Sequence, residues 1–184
     1  MGKEIKKGMK TIYLVVSNTG TFPSKIIQFF TKDKYTHISI SLKEDLTEMY
    51  SFGRRYLYLP LPGGFVRENR ELGVYKRFKD TISKVISFEV SDTIYDWLQD
   101  KLHNMYDEKK KYSYNLIGLF FAKFGVRKKR ENHYYCSEFV QEILEECGIG
   151  NWDHSSIVRP MDFLSIKGGE TCFEGLLSMY PQKG

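Results

Sequence analysis

An α+β fold is what this sequence predicts, and three observations carry it. Residues 35–42 alternate, with Ile38, Ile40 and Leu42 on one side and His37, Ser39 and Ser41 on the other, the pattern of a half-buried strand. From Cys136 onward, apolar residues recur at Phe139, Val140, Ile143, Leu144 and Cys147, the stripe of a helix packed on a core. Strands and helices also mix along the chain without a βαβ rhythm.

Taken in order, Thr11 to Val16 reads as a buried strand that ends in the turn Ser17-Asn18-Thr19-Gly20. Pro23 to Phe30 reads as a short helix, with Pro23 in its first turn. The alternating strand follows, then a turn at Lys43-Glu44-Asp45 and a return strand from Leu46 to Phe52. Gly53 to Lys79 is broken by Pro60, Pro62, Gly63 and Gly64 and reads as a long surface loop with some extended structure. Thr81 to Val90 is the next strand. Ser91 then caps a helix to about Asp107, with Ile94, Leu98, Leu102 and Met105 on one face and Asp92 at its favoured end. Asn115 begins a shorter helix, apolar nearly all round through Leu116, Ile117, Leu119, Phe120 and Phe121, so it is buried or walls an apolar pocket. The Cys136 helix runs to a C-cap at Gly148.

At 184 residues the chain is read as a single domain, 1–184, with room for a sizeable core. Hydrophobic content of 41% and aromatic content of 15% argue against global disorder. The net charge of +5 gathers near the N-terminus and at 109–111 and 127–130. Without interleaved aromatics or zinc-finger spacing, these clusters read as solvated loops: no nucleic-acid partner is expected, and at most weak peripheral contact with an anionic membrane. Three cysteines without a CxxC pair, and an N-terminus lacking an apolar signal core, place the chain in a reducing cytoplasm. No residue set calls for a metal or another cofactor.

Cys136 has two readings, a packed thiol or a nucleophile. A helix N-terminus favours an anion, which suits a thiolate, but chemistry needs a base beside it. Of four histidines, His103, His133 and His154 read as surface residues, whereas His37 lies on the polar strand face among small hydroxyl side chains. Hairpin register then selects the group that orients it. With a three-residue turn at 43–45, His37 faces Ser51. With two or four residues it faces Phe52, and Glu48 joins its side of the sheet but about 13 Å along the strand. Ser51 is therefore the expected third residue.

A His-bearing strand ahead of Tyr134-Tyr135-Cys136-Ser137-Glu138-Phe139-Val140 resembles the circularly permuted, NlpC-type branch of the papain-like cysteine hydrolases. The YiiX/YaeF-like and lecithin retinol acyltransferase-like proteins belong to that branch. The resemblance rests also on Tyr35 to Ile40, on Met49 to Gly53, and on histidine preceding cysteine. It implies an antiparallel sheet packed against helices with the nucleophile at a helix N-terminus. It further implies Cys136 as nucleophile and His37 as base, with Ser51 where such proteins usually carry histidine, a carboxylate or an amide.

The implied activity is that of a cysteine peptidase or amidase, acting on a small peptide, an amino-acid conjugate or an acyl lipid through a thioester. A lipid acyltransferase or thioesterase, or a non-catalytic lipid- or peptide-binding protein, is the alternative. The Cys136 and Ser137 backbone N–H groups are expected to face the developing oxyanion; Tyr135 or Tyr13 reads either as an added hydroxyl donor or as packing. Ser17, the Phe65 loop and Phe120 shape the pocket.

Overall fold

The structure, a computed structural model, describes residues 8–20, 32–57, 59, 62–115, 130–154 and 157–181. The short helix expected over Pro23 to Phe30, and the apolar helix containing Phe120, lie outside these residues. Six antiparallel strands form one sheet: β1 (Met9–Asn18), β2 (His37–Ser41), β3 (Met49–Arg54), β4 (Gly63–Glu68), β5 (Ile82–Ser91) and, after the last helix, β8 (Glu170–Leu176). Their order across the sheet is β4-β3-β2-β1-β5-β8. Two short strands, β6 (Ser113–Tyr114) and β7 (His133–Tyr134), pair in parallel beside it. Among the described residues, three α-helices accompany them: α1 (Gly73–Arg77), α2 (Asp92–Asp107) and α3 (Cys136–Glu146). The fold is α+β, and no helix among the described residues is long and apolar enough to cross a membrane.

β1 is buried on both faces because helices and 3-10 turns cover the sheet on each side. Its Ile12, Leu14 and Val16 join Ile38, Ile40, Phe52 and Phe65 against Leu98 and Leu102 of α2 and Phe139, Val140, Ile143 and Leu144 of α3. Its Tyr13 and Val15 face the other way, onto Met49, Tyr75 of α1, Leu177 and Tyr180. The alternation along β1 thus divides two cores.

Ser91 caps α2 as expected, its hydroxyl accepting from the Ile94 N–H at 3.3 Å, and Leu98, Leu102 and Met105 are the buried stripe. Ser91→Ala is expected to lower stability by about 1 kcal/mol. Urea unfolding reads this directly, and an unchanged midpoint would mean the cap contributes nothing. α3 is capped one residue earlier than expected. Cys147 is the C-cap, and Gly148 follows at φ 70°, the left-handed conformation glycine takes without strain. The Gly148 N–H bonds the Glu145 carbonyl and the Ile149 N–H bonds the Leu144 carbonyl, closing a Schellman motif.

Two expectations are corrected. The β2–β3 turn is longer than 43–45: Ser41 pairs with Met49, so residues 42–48 form the connection. Ser41 Oγ ties this loop to Lys43 and Glu48 backbone, Asp45 caps the Thr47 N–H, and Leu46 sits at φ 56° in the loop rather than opening a strand. Residues 53–79, expected as a long surface loop with some extended structure, hold β4 as extended structure and also the helix α1. Gly63 and Gly64 are close-approach positions: an added Cβ would lie 2.8 Å from Tyr114 Cβ and 2.7 Å from the Tyr112 carbonyl, respectively. Beyond these, β8 is an edge strand that the sequence reading did not place, its residues being mostly polar and exposed.

Candidate active site

His37 opens β2, at the rim of the sheet, and pairs with Ser17 at the far end of β1. The strand alternation that sends Ile38 and Ile40 into the helix-covered core sends His37 and Ser39 to the opposite face. There His37 Nε2 lies 3.1 Å and 3.2 Å from the two oxygens of Glu68, the last residue of β4. A carboxylate only accepts, so Nε2 carries the proton and Nδ1 is left for another partner. The Cys136 thiol also adjoins the ring and raises its proton affinity. Burial by itself opposes a charged imidazole. The Glu68 carboxylate, with Cys136, outweighs it and pushes His37 up to about 10.

Glu68 shows the same balance with the opposite sign. Burial favours its neutral form, but the His37 charge and the hydrogen bonds from His37 and Ser39 hold it below the usual carboxylate value. Ser39 Oγ donates to Oε2 at 2.7 Å, and the Tyr75 hydroxyl reaches the same oxygen at 3.4 Å. The side chains of His37 and Glu68 are each about a fifth exposed, at 18% and 19%, so the pair is shielded without being sealed.

The third residue beside His37 is therefore Glu68, and the Ser51 expectation is corrected. The observed register, carried along the strands, sets Ser51 opposite Ser39 and His37 opposite Gly53. Ser51 shares the expected face and is fully buried beside Glu68, but its hydroxyl forms no hydrogen bond with a described residue. Glu48 is elsewhere, accepting from the Tyr50 hydroxyl at 2.6 Å and pairing with Lys43. Sequence reasoning missed Glu68 because it discounted the whole 53–79 segment. The signal was the short Phe65-Val66 apolar pair ahead of it. Glu68 pairs with Met49 in the ladder, yet the twist of the sheet lets its side chain cross to the start of β2.

Cys136 begins α3, with Tyr135 as N-cap, and is 5% exposed. Cys147 is equally enclosed at the other end of the helix, and burial pushes its thiol up to about 11. Only Cys136 has an imidazole beside it. Ser137, the neighbouring candidate, spends its hydroxyl on the Val158 carbonyl at 2.8 Å, which pins the first turn of α3, so its backbone N–H is the part available to an oxyanion. Tyr13 packs with Met49, Tyr180 and Val85 on the other core and is not part of the site. Ser17 is buried next to His37 and faces Tyr75.

One tyrosine the sequence did not single out, Tyr114 of β6, lies within electrostatic reach of the thiol. Burial, then the negative charge available at Cys136, raises its phenol well above the ordinary value. His103 and His154 are exposed and His133 is half-buried with Nδ1 on the Glu131 carbonyl, so none competes for the thiol. Among the described residues, no three His, Cys, Asp or Glu side chains are grouped to hold a metal ion. No known protein family, curated protein or solved structure matches this chain.

Proposed function

We propose that this protein is a cysteine hydrolase of amide bonds, peptide or N-acyl, working by acyl transfer through Cys136, His37 and Glu68. The observation that carries the reading is one imidazole set between a carboxylate and a thiol, with the thiol at the first position of a helix. A lone buried cysteine needs neither neighbour. The order His37, Glu68, Cys136 along the chain, on strands that precede the helix, also fits the permuted papain-like arrangement its motifs resemble.

In this reading the Cys136 thiolate attacks the substrate carbonyl carbon while His37 holds the proton on Nδ1. The tetrahedral oxyanion faces the backbone N–H groups of the first turn of α3, which no intrahelical carbonyl occupies. As the intermediate collapses, the C–N bond breaks and His37 gives its proton to the leaving amine. Water then attacks the thioester with His37 as base, releasing the acid and restoring the thiol. Glu68 fixes the ring plane and stabilises the imidazolium, a task a serine hydroxyl performs poorly.

Incubation with a p-nitrophenyl acyl ester, followed by peptide mass spectrometry, tests the reading. The acyl group is expected on Cys136, turning over as p-nitrophenol is released. Acylation confined to the exposed Cys172, with Cys136 unmodified, would sink it.

A further inference from the structure

We propose that Ser39 is a positioning residue of this site, acting on His37 through the Glu68 carboxylate. The inference rests on the reading of His37 as the base. Ser39 lies two residues from His37 on the same face of an interior strand and is wholly enclosed. Its neighbours on that face include Val15, directly opposite on β1, and the core around Tyr75 and Met49. Packing alone would favour a β-branched apolar side chain there, and burying a hydroxyl costs free energy unless it is bonded. The bond it makes is the shortest at the carboxylate, 2.7 Å to Glu68 Oε2, against 3.1 Å and 3.2 Å from His37 and 3.4 Å from Tyr75.

Its effect follows from the geometry. Glu68 reaches His37 from two strands away, by a side chain with three rotatable bonds. The imidazole faces both oxygens from one side, and Ser39 adds the shortest contact, on Oε2, so the carboxylate plane is held from two directions. Ser39 holds it from the strand that carries His37, which makes donor and base move as one rigid unit. The charged and titratable groups around Glu68 are His37 on β2, Arg54 on β3 and Tyr75 on α1, and around His37 there is also Cys136 on α3. None of these replaces a short neutral donor on Oε2.

The test uses the full chain carrying Cys172→Ser, so that Cys136 is the reactive thiol. Two quantities are read: the His37 titration by NMR, assigned against His37→Ala, and the pH profile of Cys136 alkylation by iodoacetamide. Ser39→Ala is expected to move the His37 titration down by about one pH unit and to slow alkylation at neutral pH about tenfold. Ser39→Thr, which keeps the hydroxyl, restores both. A folded Ser39→Ala protein with wild-type titration and alkylation overturns the proposal. If that variant does not fold, Ser39→Cys, similar in size and a weak donor, decides by its His37 titration. Should both fail to fold while Ser39→Thr folds, the hydroxyl is structural and the positioning role is lost. Unchanged Cys136 alkylation in His37→Ala would instead refute the nucleophile reading, leaving the titration to judge Ser39 separately.

Discussion

His37→Ala is expected to slow iodoacetamide alkylation of Cys136 at neutral pH by about 100-fold, the lower range of what a positioned acid–base group contributes. The measurement belongs in a Cys172→Ser background, since Cys172 is exposed and would report its own reactivity. Cys147 supplies an internal control. It is buried like Cys136, but burial pushes its thiol up to about 11 and no imidazole adjoins it, so it stays slow in both proteins. If Cys136 reacts at the wild-type rate without His37, the two side chains are neighbours without being partners. Deleting the ring also leaves the Glu68 carboxylate without its charged partner, so a lower unfolding midpoint is expected alongside the loss, and the rate is read on the folded variant.

Glu68→Gln has the second largest expected effect, because it keeps the shape and removes the charge. The His37 titration is expected to fall from about 10 toward the ordinary 6.5. Stability should drop by about 2 kcal/mol near pH 6, the worth of a charge-assisted hydrogen bond. The direction with pH follows from the two shifts. His37 is raised in the folded protein, so its stabilisation is complete below about 6.5 and fades as pH rises toward about 10. Glu68 is lowered, so its stabilisation is present above the ordinary 4.5 and fades as acid titrates the folded carboxylate. The gap between wild type and Glu68→Gln should therefore be widest between about pH 5 and 6.5 and narrow in alkali. Urea unfolding at pH 6 and pH 10 measures it. A gap that does not narrow at pH 10 would show that the pair is not ionised.

Both effects turn on a carboxylate that the sequence pattern concealed. The reasons are local and physical. The parity of β2 was legible, since Ile38 and Ile40 had to share a face and His37 and Ser39 the other. The offset was not, because the turn length depended on Leu46 adopting a left-handed loop conformation with its carbonyl bonded by the Arg70 N–H. A slip of two residues preserves the face and changes the partner, which is why Ser51 came out near Glu68 but not on His37. Gly63 and Gly64 carry the other lesson. They looked like breakers, whereas they open a strand where another backbone and Tyr114 come too close for any side chain. The α3 stripe and the Ser91 cap were legible because each depends on residues within a turn or two. Glu68 on His37 depends on three strands packing together.

The interior position of β1 bears on how the chain is made. β1 precedes every strand it pairs with, and it holds the centre of the sheet between β2 and β5. Its β2 edge is covered early, but the β5 edge stays open until residues 82–91 have emerged. At about 5–20 residues per second, that leaves Ile12 to Val16, apolar on both faces, unpaired along one side for several seconds of synthesis. Such a segment is adhesive toward other nascent chains. Slow translation between β2 and β5 would prolong that exposure, so the yield of soluble protein should respond to codon choice in this stretch more than to codon choice after β5.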